Sequence, residues 1–103
     1  MATGTLGQAA PVAATLTTVY TVPTAKVATF NVSIANRTGY AIPVRLAIAA
    51  TATPTTAEYI EYDSIIPGNG VLERGGIVAN AAENVVVYAS VAGLSVSVYG
   101  YEE

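Results

Sequence analysis

The chain contains no cysteine and no histidine, and only four of its residues are lysine or arginine. Without cysteine, neither a disulfide framework nor a thiolate metal site is available. Without histidine, the commonest general base and the commonest metal ligand are missing together. Serine and threonine are abundant, but a nucleophilic hydroxyl needs a base, and only a buried lysine remains to serve. The one lysine, Lys26, follows Pro23-Thr24-Ala25 in a stretch with turn character. The sequence therefore predicts no catalytic residue, no cofactor and no metal site.

Charge is scarce as well. Charged residues make up 11% of the chain, with a net charge of −3. Lys26, Arg37, Arg45 and Arg74 are dispersed, whereas neutralising phosphates needs clustered cations, so nucleic acid is excluded as a partner. No run approaches the roughly 18 apolar residues of a membrane span, and the N-terminal MATGTLGQAAPVAATLT lacks the basic and apolar regions of a secretory signal. Neither a membrane partner nor export is expected.

What the chain does hold is apolar and small. At 103 residues and 52% hydrophobic, it suits one domain, which at this size removes roughly 60–65% of the unfolded surface from water. A small solitary domain usually carries about 25–35% charged residues on its surface. Here Thr, Ser, Ala and Tyr must cover much of the exterior, a surface cheap to desolvate, and the composition predicts assembly into a larger object.

Residues 1–16, rich in Ala, Thr and Gly and interrupted by Gly4, Gly7 and Pro11, read as an extended N-terminal arm. From residue 17 the period becomes two. TTVYTV (17–22) precedes Pro23, and KVATFNVSIA (26–35) places Ala28, Phe30, Val32 and Ile34 on one face. NRTG (36–39) supplies a turn, and IPVRLAIA (42–49) then turns Ile42, Val44, Leu46 and Ile48 inward and Arg45 outward. EYIEYDSII (58–66), VLERGGIV (71–78), NVVVYASV (84–91) and LSVSVYGY (94–101) read as further strands, the last two as a hairpin about Ala92-Gly93. Residues 17–103 are thus expected to form a single all-β domain, an antiparallel β-sandwich of jelly-roll or Ig-like type with about seven to eight short strands.

Three motifs bear on function. Gly70 and Gly75 stand at the spacing of a phosphate-binding loop, but Gly76 and Ile77 occupy the places of its lysine and hydroxyl residue, and no dinucleotide fingerprint is completed. Gly75-Gly76 is read instead as a bend or bulge in a strand. Arg74 then needs a partner, and Glu61 or Asp63 is the natural one, within the subunit or across an interface; Glu61, Asp63, Glu73 and Arg74 are the candidate subunit-contact residues. Glu61 and Asp63 stand two apart, close enough to share a cation or form an acid/base pair, although neither a calcium cage nor a catalytic cleft accompanies them. Tyr59, Tyr62, Tyr99 and Tyr101 are candidates for an aromatic contact surface. The sequons NVS (31–33) and NRT (36–38) match by chance.

The segments MATGTLG, VYTVP (19–23), ANR (35–37), VRLAI (44–48), YIEYD (59–63), VLERGGIV (71–78), VVVYAS (85–90) and VYGYEE (98–103) resemble those of short structural proteins of tailed bacteriophages, over nearly the whole chain. The resemblance implies a non-enzymatic component of the virion, assembled in the host bacterial cytoplasm. A head decoration (cement) protein is favoured by the length, ahead of a small tail, collar or baseplate adaptor. It also implies a homo-oligomer, a trimer by preference, that contacts capsid or tail proteins. Thr3, Gly4, Thr5, Leu6, Gly7 and Gln8 are the expected docking arm. A carbohydrate-binding module, with glycan held on the tyrosines, is the weaker alternative.

Overall fold

Period-two patterning predicts strands that bury one face, and the structure, a computed structural model describing residues 3–103, is built that way. Its eight strands are β1 (Thr3–Ala9), β2 (Thr17–Thr21), β3 (Ala28–Asn36), β4 (Ile42–Ala49), β5 (Tyr59–Ile66), β6 (Val71–Ala79), β7 (Asn84–Ala89) and β8 (Leu94–Glu102). A 3-10 turn at Thr56–Glu58 precedes β5, and among the described residues there is no α-helix. The strands form two four-stranded sheets in the orders β1-β8-β3-β6 and β2-β7-β4-β5. Every pairing is antiparallel. The domain is an all-β, two-sheet antiparallel fold, consistent with a β-sandwich.

The pairings nest. β1 pairs with β8, β2 with β7, β3 with β6 and β4 with β5, so the chain behaves as one long hairpin rolled across two sheets. Only β4 and β5 are successive strands of the same sheet. The expected β7–β8 hairpin is therefore corrected: Ala92-Gly93 lies in a connection between the sheets, and β8 pairs with β1 and β3 instead. Turn residues reverse the chain, but they do not select which sheet the next strand joins.

The core lies between the sheets. Ala28, Phe30, Val32 and Ile34 of β3, Ile42, Val44 and Leu46 of β4, Val85 and Val87 of β7, and Leu94, Val96 and Val98 of β8 are all buried in one cluster. These are the alternate positions the pattern marks as inward, with Ile48 at the cluster margin. Ala47, Ala49 and Val86 are buried as well, outside that cluster. The ring of Tyr20 meets Phe30 edge-on at 6.0 Å.

Of the expected N-terminal arm, residues 1–2 lie outside the described residues, and the rest is held against the sheets. Residues 3–9 are an edge strand on β8, and residues 10–16 are a connection tied down by the Ala14 N–H donating to the Ala89 carbonyl at 2.8 Å. Leu6 packs on the core, and at Gly7 a Cβ would come within 2.3 Å of the Val19 carbonyl oxygen, so β1 closes on β2 through bare backbone.

Register shifts occur only at edges. β1 carries one extra residue opposite β8, β2 one opposite β7, β6 one opposite β3, and β5 two opposite β4. The inner pairs β3·β8 and β4·β7 run without interruption. The two glycines of VLERGGIV form one of these bulges: Gly75 and Gly76 together oppose Asn31, Gly76 has φ +69°, and its N–H donates to the Asn31 Oδ1 at 3.2 Å.

Candidate functional site

The outward face of the first sheet is almost without charge. On β8 its residues are Ser95, Ser97, Tyr99 and Tyr101; Thr5 and Asn31 flank Tyr99, and Thr3 and Thr29 flank Tyr101. Ser33 opposes Ser97, and Gln8 donates to the Ser97 hydroxyl at 3.3 Å. The β6 margin adds Val71, Glu73 and Val78, the two valines 55% and 61% exposed. Glu73 is the single charge among these strand positions. Tyr99 and Tyr101 are partly exposed at 36% and 40%, one strand repeat apart, and present their rings to solvent from the sheet centre. Thr3, Thr5 and Gln8 of the expected docking arm share this face as part of β1.

The four residues expected at subunit contacts separate. Arg74 Nη1 meets Glu61 Oε2 at 2.5 Å and the Ile60 carbonyl at 3.3 Å, so it ties edge strand β6 of one sheet to edge strand β5 of the other. The Ser64 hydroxyl donates to the other Glu61 oxygen. Asp63 instead meets Arg45. Intrachain pairing thus accounts for Glu61, Asp63 and Arg74, and only Glu73 of the four has no ion-pair partner among the described residues. One of the two β5 bulges lies between Glu61 and Asp63, and each pairs with its own arginine, so they do not share a cation. Among the described residues no three acidic, cysteine or histidine side chains gather as a metal set.

These pairs set a pH dependence. The hydrogen bond from Ser64, together with Arg74, holds the Glu61 carboxyl below its ordinary value of 4.5, against the opposing effect of burial. Arg45 likewise holds Asp63 below 3.8, again against desolvation. A carboxylate with a lowered folded pKa contributes stability that is complete above its unfolded pKa and is lost as pH falls through the folded one. Urea midpoints should therefore fall as pH drops below 4.5 and on through 3.8. Arg74→Gln should reduce that loss relative to wild type, and an identical pH slope in the two proteins would contradict the assignment.

The second sheet carries a different feature on its outer face. The β5 bulge between Glu61 and Ser64 holds Asp63 at φ +54°, a left-handed conformation that aspartate tolerates, and swings Tyr62 and Asp63 over β4. Arg45 Nε donates to Asp63 Oδ1 at 2.8 Å and Nη2 to Oδ2 at 3.4 Å. The guanidinium carbon lies 4.1 Å from the Tyr62 ring centre and 5.2 Å from that of Tyr88. Tyr59 meets Tyr62 edge-on at 5.1 Å. Beside this stack runs a groove of about 330 Å³ lined by Pro43, Arg45, Asp63, Ile65, Tyr88 and Ser90. The four candidate tyrosines thus form two surfaces on opposite sheets, not one. Arg45, Tyr88 and Ser90 are not among the site residues expected from the sequence. The available signal is the outward Arg45 in an otherwise apolar strand, which requires a partner.

A further polar contact is internal. Glu102, only 8% exposed at the end of β8, accepts a hydrogen bond from the Tyr20 hydroxyl at 2.5 Å and so joins the sheets. Burial, and then the Glu102 carboxylate, push the Tyr20 hydroxyl pKa strongly upward, so it remains a donor. Comparison with family models, curated proteins and solved structures finds no match for this chain.

Proposed function

We propose that the chain is a non-enzymatic jelly-roll building block of a bacteriophage virion. It forms a closed homo-oligomer, a trimer by preference, through the outer face of the β1-β8-β3-β6 sheet. The carrying observation is that face: four strands wide, rich in Thr, Ser, Asn and Tyr, with Glu73 alone charged. Copies with a net charge of −3 repel, and the repulsion is least where each presents the fewest like charges to the other, here Glu73 alone. The free sheet edges are poor alternatives, because each of the four edge strands is bulged, and bulges deter strand-to-strand addition. Around a three-fold axis the tyrosines of β8 line the contact, and the remaining surface is left for capsid or tail proteins.

The nested pairing favours a jelly roll over an Ig-like sandwich, since it couples the first strand to the last and each pair inside it. Placement on the head as a decoration protein, ahead of a tail or baseplate adaptor, rests on the resemblance of the strand segments and on chain length. Light scattering of the purified chain should return a discrete multiple of 10.5 kDa, held across a tenfold dilution. Tyr101→Glu, at a partly exposed position, should weaken association by about thirtyfold or more, the effect of losing a central aromatic anchor worth ~2 kcal/mol, and leave the circular dichroism unchanged. A monomeric wild type, or a variant of unchanged mass, would overturn the proposal.

A further inference from the structure

We propose that the groove beside Arg45 on the opposite sheet binds a neutral saccharide. Two features of the fold shape it. The β5 bulge opposite Arg45 carries Tyr62 and Asp63 across β4, and the left-handed Asp63 is aimed at Arg45. Bulges and left-handed non-glycine residues concentrate where a side chain has to be re-aimed for function.

The chemistry of the lining defines the ligand class. Arg45 is neutralised by Asp63, so the groove supplies no full counter-charge to a phosphate, a carboxylate or an amine. It does supply hydrogen-bonding groups of both kinds. The pair uses two of the five guanidinium N–H donors, and the Asp63 carboxylate, 53% exposed, retains acceptor capacity. Pro43, Tyr88 and Ile65, the last 60% exposed, form an apolar wall, with the Ser90 hydroxyl at the groove margin. A neutral ligand with one apolar face and a rim of hydroxyls meets all of these at once, and a pyranose ring is such a ligand. The volume, about 330 Å³, is at the small end for ligand sites and is open to solvent, which suits one or two rings of a longer chain.

The stack also explains why the site is held ready. Arg45 is flanked by the Tyr62 and Tyr88 rings and clamped by Asp63, so its remaining donors point in fixed directions in advance of any ligand. Preorganisation of this sort lowers the ordering cost of binding a weakly held, hydrated ligand. The proposal is independent of the assembly face, which lies on the other sheet.

The test is a nitrogen-15 chemical-shift titration of the full chain with neutral trisaccharides of glucose, galactose, mannose and N-acetylglucosamine. At least one should shift the Arg45 Nε–H and the backbone signals of residues 44–45, 63–65 and 88–90, saturating in the millimolar range. Ser90→Trp, which fills the groove at an exposed position and leaves the Arg45–Asp63 pair intact, should weaken that binding by at least about tenfold. Tyr101→Glu, which addresses the assembly face, should leave it unchanged. The proposal is overturned if no trisaccharide shifts these signals, if the shifts gather at Tyr99 and Tyr101 instead, or if a uronic-acid trisaccharide binds more tightly than every neutral one.

Discussion

Gly100→Ala lowers stability by about 3 kcal/mol or more and the melting temperature by more than about 12 °C. Gly100 stands in β8 between Gly4 of β1 and Phe30 of β3. A Cβ there would lie 2.1 Å from the Thr29 carbonyl oxygen and 2.6 Å from the Phe30 Cα. Both obstacles are backbone of the central strand, so no rotamer change relieves them, and β3 and β8 must separate where their pairing is otherwise uninterrupted. Gly39 provides the control, because a Cβ there meets nothing within 4 Å. Gly39→Ala should stay within about 0.5 kcal/mol of wild type. Thermal melts followed by circular dichroism separate the two, and a Gly100→Ala midpoint equal to that of Gly39→Ala would show that the strands part without cost.

Asn36→Ala should destabilise comparably, by about 3 kcal/mol, through loss of a polar hub. Asn36 is 3% exposed, and its amide nitrogen donates to the carbonyls of Tyr40 at 2.7 Å, Ile66 at 3.1 Å and Pro67 at 3.1 Å. Its Oδ1 accepts from the Thr38 N–H at 2.9 Å and from the Thr38 hydroxyl at 2.7 Å. One side chain therefore joins the turn after β3 to the connection between β5 and β6. Truncation strands the Ile66 carbonyl in a buried setting and releases both loops. Asn36→Asp distinguishes the two halves of the hub: it keeps the acceptor and sets an anionic oxygen against three carbonyls, so it should be at least as damaging as alanine. A stable Asn36→Asp protein would mean that the donor bonds carry little. The same geometry shows that the NRT sequon has its asparagine fully engaged inside the fold.

The strands legible in the sequence are those whose period is unbroken. β3 and β8 alternate cleanly, and their inward residues follow from the pattern alone; in β4 the pattern gives Ile42, Val44 and Leu46, but Ile48 reaches only the core margin while Ala47 and Ala49 are buried. β5 and β6 are harder, since a bulge shifts every later side chain to the other face. Val78 illustrates this: an unbroken alternation would set it on the inward side with Leu72, yet past the Gly75-Gly76 bulge it lies opposite Thr29 on the outer face and is 61% exposed. β1 escapes notice as a strand because a seven-residue edge made mostly of small residues, with Leu6 as its one large apolar side chain, carries too little contrast to register as alternation. Which sheet each strand joins is not legible at all, because Pro67-Gly68 and Ala92-Gly93 report only that the chain turns.

The candidate surfaces divide in the same way. The Arg74–Glu61 pair follows from a lone arginine seeking an acid, whereas the Arg45 stack needs three strands and a bulge in place before Asp63, Tyr62 and Tyr88 converge. The charge-poor face is visible in the sequence only as overall composition. Its concentration on one sheet emerges with the register, which sets Thr3, Thr5, Thr29, Asn31 and the β8 tyrosines side by side.

The central claim is that this face is covered by other copies of the chain. A soluble paramagnetic probe, added to the isotopically labelled wild-type protein, broadens the signals of whatever solvent reaches. Signals of Thr29, Ser97, Tyr99 and Tyr101 should be spared, while those of the exposed loop residues Thr51, Ala52 and Thr53 broaden fully; Tyr101→Glu should restore broadening at Thr29 and Ser97. Broadening of the face in wild type as complete as that of the loop would contradict the account.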